Sequence, residues 1–279
     1  MQVFNPIVNR ETEVEVFDDS HEPWLLVRCK ETNFHFIANP PSYERLEEEF
    51  AWEKTLDASQ SRRRKEGVLA WRLSTVAKQI KFLIEPNRNK TFSIAMRIPE
   101  PGATDYRILD VGCGDGKLML DFREKFYQAG VNIIPIGIEV SNQLAEESGE
   151  RFAPFGGHTI KSNAIDGMRQ VAAGSIDMVL MNSFLEHECR PVQLLNAVKD
   201  ALKDEGRVVI KVPNFDCLNR KIRGKLWAGY RFPDHVSYFT PTTLKTLAAQ
   251  TGFKLQEQSF MARLPLSDNM YAVFQKSDT

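Results

Sequence analysis

The sequence predicts an α/β fold built on a mostly parallel, doubly wound sheet. Two observations carry that expectation. First, an apolar run, Ile108 to Val111, is followed by glycines at alternate positions, Gly112, Gly114 and Gly116, and then by a helical stretch, Lys117 to Gln128. A buried strand, a glycine turn and a helix form the opening of a nucleotide-binding α/β unit. Glycine suits the turn because the backbone angles disfavour a β-carbon and a ligand must approach the main chain closely. Second, from Tyr106 onward strand signals and helix signals alternate, and the chain finishes on two strands close in sequence. That order implies parallel strands with one antiparallel strand near the end.

Composition is that of an ordinary globular protein. The 279 residues are 42% hydrophobic and 26% charged, with a formal net charge of −1. Such a chain builds a core of its own, and no global field recruits nucleic acid or an acidic membrane. No apolar run is long enough to span a bilayer, and Met-Gln-Val-Phe-Asn-Pro at the start lacks the layout of a signal peptide. Cys29, Cys113, Cys189 and Cys217 are far apart, which fits free thiols in a reducing cytoplasm.

Residues 1 to about 40 read as short strands: Val14–Phe17, Trp24–Val27 and Phe34–Ile37. Asn39-Pro-Pro41 ends that section, since two prolines oppose ladder and helix alike. Ser42 is a good N-cap for a helical stretch over Tyr43–Ile84, with a break near Gly67. Arg62–Lys65 is a basic run that reads as a solvated helix face, or as a contact for an anionic group. Residues 87–105 read as a linker. The expected division is an extension with lid helices over 1–104 and a cofactor-binding domain over 105–279.

Within the second part, Ile133–Ile138 is the next strand and Asn142–Arg151 its helix. Thr159–Ser162 and Ile176–Met181 are further strands, and Pro191–Leu202 is a helix. Asp204-Glu-Gly206 reads as a turn before the strand Arg207–Val212, which Pro213 stops. Thr240 and Pro241 open a helix that runs to Thr251 and ends at Gly252. Phe253–Phe260 and Asn269–Phe274 are the closing strands.

The glycine spacing bears on the ligand. Dinucleotide loops use G-x-G-x-x-G, whereas here Lys117 stands where the third glycine belongs and Asp115 projects an acid into the loop. A carboxylate repels a pyrophosphate but favours an ammonium or a sulfonium. Asp110-Val-Gly-Cys-Gly-Asp-Gly116 resembles the first motif of class I S-adenosylmethionine-dependent methyltransferases. Three further segments agree with it: Ser175–His187, Leu202–Asn214 with Asp204-Glu205 in place of the usual Pro-Gly, and Pro233–Thr240 followed by Leu244–Phe253. The nearest branch contains small-molecule enzymes such as the ubiquinone-pathway O-methyltransferases. The resemblance covers about residues 105 to 275. It implies a Rossmann-like sheet of seven strands in the order 3-2-1-4-5-7-6.

The same resemblance implies S-adenosyl-L-methionine as cofactor, S-adenosyl-L-homocysteine as product and a small-molecule acceptor. Ligands in such sheets lie beyond the strand C-termini. Asp110, Gly112, Cys113, Gly114, Asp115 and Gly116 would line the first loop, with Asp110 and Asp115 as candidates for the methionine ammonium. Asp110 has the alternative role of orienting the loop. Glu139, followed by Val140, would accept the ribose hydroxyls. Asn163 and Ala164 stand where the family reads adenine, with asparagine replacing the usual acid and Asp166 as the competing residue. Asn182, Ser183 and Phe184 would lie under the methionine half.

Methyl transfer chiefly needs alignment, and a base if a hydroxyl must lose its proton. His187 and His235 are the candidate bases. His235 is favoured as substrate-facing, with Glu186 and His187 shaping the pocket. Some relatives bind magnesium through E-x-x-E-H, but Ser183 replaces the first acid, so no metal is expected. Thr32 replaces the second cysteine of a knuckle seen in one branch, so no zinc is expected at Cys29. Trp227, Tyr230, Phe232 and Tyr238 fit a lid over an apolar or planar acceptor. Two other readings are a cofactor-binding partner protein without catalysis and a nicotinamide-dependent oxidoreductase; the missing glycine and Asp115 oppose the latter.

Overall fold

The computed structural model describes residues 1–20, 22–42, 90–99, 102–258 and 267–277. The helical stretch expected over 43–84, with Arg62–Lys65, lies outside the described residues.

Seven strands form the main sheet: β5 (Tyr106–Val111), β6 (Ile133–Glu139), β7 (His158–Lys161), β8 (Ile176–Asn182), β9 (Leu202–Pro213), β11 (Phe253–Gln258) and β12 (Asn269–Lys276). Their spatial order is β7-β6-β5-β8-β9-β12-β11. The pairs β5–β6, β6–β7, β5–β8 and β8–β9 are parallel, while β12 runs antiparallel to both β9 and β11. This is the expected 3-2-1-4-5-7-6 arrangement.

Alternation along each strand feeds two core layers. Leu109, Val111, Val179, Met181, Val208 and Ile210 pack into one. Ile108, Met178, Leu180 and Val209 pack into the other, against Met119, Phe122 and Phe126 of the helix Lys117–Gln128. Each fully buried phenylalanine contributes about 1.5–3 kcal/mol.

Among the differences between the sequence expectation and the structure, four matter here. The span 87–105, read as a linker, contains the short helix α1 (Lys90–Ala95), held by the buried side chains of Ile94 and Ala95. Strand β9 starts at Leu202, ahead of Asp204-Glu-Gly206, because Leu202 pairs with Ile176 before the register shifts. A helix over Ala164–Arg169 has no counterpart in the expectation, being too short to show a 3.6-residue period.

The fourth difference matters most for the site. Strands β1 (Gln2–Asn5), β2 (Arg10–Val16), β3 (Leu26–Cys29) and β4 (His35–Ile37) form an antiparallel sheet whose last member, β10 (Ser237–Tyr238), comes from far along the chain. Ser237 pairs with Phe36, and Tyr238 with His35. The N-terminal sheet is thereby hydrogen-bonded to the segment that carries His235.

Candidate active site

Strand β5 delivers the chain to Gly112, Gly114 and Gly116, at φ +72°, +55° and +79°. A β-carbon on Gly112 would meet the Phe184 ring at 2.5 Å, so glycine is required there for space as well as for angle. A β-carbon on Gly114 would meet nothing within 4 Å: the loop opens outward at that point. The Gly112 N–H donates to the Ile138 carbonyl at 2.9 Å, which ties the loop to the adjoining strand. Cys113 is buried, and burial pushes its thiol up to about 12, so it is an unreactive packing group.

Glu139 ends β6 beside this loop. Its carboxylate accepts the Gly114 N–H at 2.9 Å and the Ser141 N–H at 3.0 Å. The acid therefore anchors the loop, and each of its oxygens retains a lone pair for a further donor. Half-buried Val140 separates it from Ser141, which caps the following helix (Asn142–Phe152) by accepting from the Leu144 N–H. Asp110 is buried, and its carboxyl is raised to about 7 by burial and then by the nearby Glu139 charge.

The other acid of the loop is spent locally. Asp115 pairs with Lys117 at 2.6 Å and with Arg151 at 3.4 Å. Burial opposes its ionisation, but those two cations and the Lys117 N–H outweigh burial and hold the carboxyl below its usual range. Asn163 is likewise engaged: it caps Ala164–Arg169 through the Asp166 N–H at 2.9 Å, and its amide donates to the Asp166 carboxylate at 2.9 Å. Asn163 and Asp166, weighed as competitors, are thus bonded to each other. Ala164 is buried beside them.

Strand β8 delivers Asn182, whose side-chain oxygen accepts the Thr91 hydroxyl of α1 at 3.1 Å. Ser183 follows with φ +60°, a left-handed angle that a serine adopts at some cost. Its N–H donates to the Lys211 carbonyl at 2.9 Å. This turn throws Phe184 back onto Gly112 and starts the 3-10 turn Leu185–His187.

Glu186, His187 and His235 come together here, with one donor atom from each lying within 4.8 Å of the others. The two imidazoles meet edge to face at a centroid distance of 4.7 Å. His235 is buried, and its Nδ1 lies 2.8 Å from the Gly229 carbonyl. Since that carbonyl only accepts, Nδ1 carries a proton. His187 is the more open of the two. Burial, then the Arg231 charge, lower it to about 4, while a hydrogen bond to the Asp234 backbone works the other way. Glu186 is buried with Oε2 unpartnered, and burial raises it to about 7 against the opposing pull of Lys211 and Arg231.

The N-terminal sheet holds this cluster in place. The Ile37 N–H donates to the Val236 carbonyl at 3.0 Å, and the Val236 N–H donates to the Glu186 carbonyl at 2.9 Å. An aromatic group of Phe215, Trp227, Tyr230, Phe232 and Tyr238 packs beside it, with Phe17 and His35 of the N-terminal section. Sequence reasoning missed Thr91, Lys211, Arg231 and the β4–β10 pairing. Among these, only the apolar pattern around His35 carried any signal.

The donor set bears on metal. Magnesium prefers several hard oxygen ligands, and two imidazoles with one carboxylate do not supply them. The residues present do not fit magnesium.

A parallel sheet of this order, opening beyond its strand ends at a left-handed glycine loop between two buried acids, defines a class I S-adenosylmethionine-dependent methyltransferase. The chain belongs to the family described as a methyltransferase domain, whose model matches residues 68–258. It is 24% identical over 196 residues to the ubiquinone biosynthesis O-methyltransferase of Cupriavidus pinatubonensis, across 63% of this chain and 71% of that one. It is 29% identical over 136 residues to the enzyme of the same name from Idiomarina loihiensis, of which the match spans about half (51%). It is also 25% identical over 143 residues to the trans-aconitate 2-methyltransferase of Streptomyces avermitilis, covering 50% of this chain and 52% of that one. The mitomycin 7-O-methyltransferase shares the fold at a TM-score of 0.51 and 15% identity, over 67% of this chain and 53% of that one. The plantazolicin methyltransferase, solved with S-adenosylhomocysteine, does so at 0.50 and 15%, over 72% and 91%.

Proposed function

We propose that this chain methylates a hydroxyl of a small-molecule acceptor. The observation that carries the reading is the meeting of Glu186, His187 and His235 at the C-terminal end of β8, beside Asn182–Phe184. S-adenosylmethionine supplies the methyl group on a positively charged sulfur. Gly114 would present its open backbone to that cofactor, Glu139 would take the ribose hydroxyls, and Asp110 would face the ammonium. Asn163 and Ala164 would border the adenine. Asn182, Ser183 and Phe184 would lie under the methionine half.

A hydroxyl attacks well only as it loses its proton. His187, the more open of the two imidazoles, is the candidate for that step: its lowered pKa of about 4 leaves the ring unprotonated at physiological pH but makes it a weak base in the unliganded protein. His235 would be its buried neighbour, and Glu186 would set the field around both. The aromatic group beside the cluster suits an apolar or planar acceptor. Four free cysteines support a reducing, cytoplasmic setting. Among the described residues, no helix is long and apolar enough to cross a membrane.

The test is methyl transfer from labelled cofactor to matched phenol, carboxylate and amine acceptors, with wild type and His187→Asn. Phenol turnover that falls in the variant, while S-adenosylhomocysteine still binds, supports the reading. Turnover only on carboxylates, with the variant unimpaired, would overturn it, since a carboxylate needs no base.

A further inference from the structure

Strand β9 brings a cation to the end of the crevice that carries Glu186. Lys211 stands just before Pro213, where β9 ends, and pairs in register with Asn182 at the end of β8. Side chains alternate along a strand, so Lys211 shares a face with Val209, and Asn182 with Leu180. Val209 and Leu180 belong to one core layer. The lysine and the asparagine therefore stand side by side on that face of the sheet, just beyond the layer. The backbone holds them there: the Lys211 carbonyl accepts the Ser183 N–H at 2.9 Å. Both side chains are half-buried. The Asn182 side-chain oxygen is occupied by the Thr91 hydroxyl at 3.1 Å, so the amide has its N–H groups left to offer. Lys211 has donors only. Together the two side chains present donors and no open acceptor, which suits an anion.

The charges agree. Two cations act on Glu186, Lys211 and Arg231. Arg231 is compensated by Asp234 at 3.0 Å. Lys211 makes no ion pair among the described residues, and Glu186 Oε2 has no partner, so these two act on each other across a gap. Burial holds the Lys211 ammonium below the ordinary lysine range, with the Glu186 charge opposing it. A half-buried ammonium without a counter-ion in contact gains when a ligand brings one. A carboxylate has two sources here, the acceptor and the methionine half of the cofactor. The position of Lys211 favours the acceptor: β8 separates β9 from β5 and its Gly112–Gly116 loop, whereas Glu186 belongs to the histidine cluster.

We propose that Lys211 and the Asn182 amide bind a carboxylate on the acceptor, and so set which hydroxyl compounds the site takes. The inference rests on the reading of the chain as a methyltransferase for hydroxyl acceptors. It is tested by the kcat/KM of the full chain on para-hydroxyphenylacetate and on para-hydroxyphenylacetamide, and on further phenols paired in the same way. Wild type should prefer the carboxylate of each pair by at least about tenfold, the scale of one charged hydrogen bond. Lys211→Met should erase that preference through a raised KM for the carboxylate, and Lys211→Arg should keep most of it. A merely structural loss would lower both members of a pair alike and leave the ratio where it was. Phenol turnover without a preference, or a preference that survives Lys211→Met, would overturn this proposal alone. A comparable fall of S-adenosylhomocysteine affinity in Lys211→Met would also overturn it, by assigning the lysine to the cofactor's carboxylate. If no phenol is methylated while S-adenosylhomocysteine still binds, the hydroxyl reading fails and this inference with it.

Discussion

The two ends of the crevice are built in different ways. At the cofactor end, one continuous stretch, Asp110 to Lys117, provides the turn, the open backbone and a buried acid. Only Glu139 joins it from the next strand, through the Gly114 N–H. At the end where we propose that the acceptor binds, no group works with its sequence neighbours alone. His187 is pinned by the backbone of Asp234, His235 by the carbonyl of Gly229, and the residues just after His235 by a strand from residues 35–37. The first end is a local device built within one strand-to-helix turn. The second is an assembly of distant parts.

That contrast predicts different costs for damage at the two ends. The largest expected effect is at the acceptor end. His187→Asn should lower turnover about 10²–10⁴-fold while S-adenosylhomocysteine affinity, read by calorimetry, stays within about twofold. A matching loss of cofactor affinity would mean that the two ends are not separable. Next comes Gly112→Val, which puts a side chain at φ +72° and into the Phe184 ring. Cofactor affinity should fall about a hundredfold, from about 1–3 kcal/mol of backbone strain plus the displaced ring. Glu139→Ala should cost at least about tenfold, since charged hydrogen bonds are worth about 1.5–3 kcal/mol each. An unchanged affinity would place the ribose elsewhere.

A smaller effect should appear in the pH dependence of the cofactor end. The Asp110 carboxyl, raised to about 7, must ionise to hold an ammonium. S-adenosylhomocysteine affinity should therefore climb as pH rises toward about 7 and level off above it. Asp110→Asn should flatten that climb; a slope that survives the substitution would assign it to another group. The same shift acts on stability with a definite sign. A raised carboxyl favours the unliganded fold most fully below its unfolded value of 3.8, and that contribution is lost as pH climbs through about 7. The smallest effect is expected from chelation, because the donor set does not fit magnesium. Turnover should survive EDTA. If it is lost and then restored by zinc, an ion bridges the two histidines.

Part of this is legible in the sequence. The helix Lys117–Gln128 is legible to its ends because an apolar side follows the Gly116 turn. The sheet order followed from the resemblance, and the parallel run from alternation of strands and helices. Strand β10 was not legible. It has two residues, and its reason for being a strand is a partner some two hundred residues away. Helix α1 was hidden for a similar cause, since its buried Ile94 and Ala95 make sense only against the finished sheet. At the site itself, the residue types at Asp115 and Asn163 were readable, but their engagements were not. Arg151 and Asp166 reach them only once the flanking helices are placed.

What the chain determines by itself is the glycine loop and the acids at the ends of β5 and β6. Backbone angles and strand termini are local properties that residue type controls directly. What the tertiary structure decided is that Glu186, His187 and His235 face one another. Those contacts join segments whose sequences carry no record of their separation, and burial at the meeting point sets the protonation of Glu186 and His187.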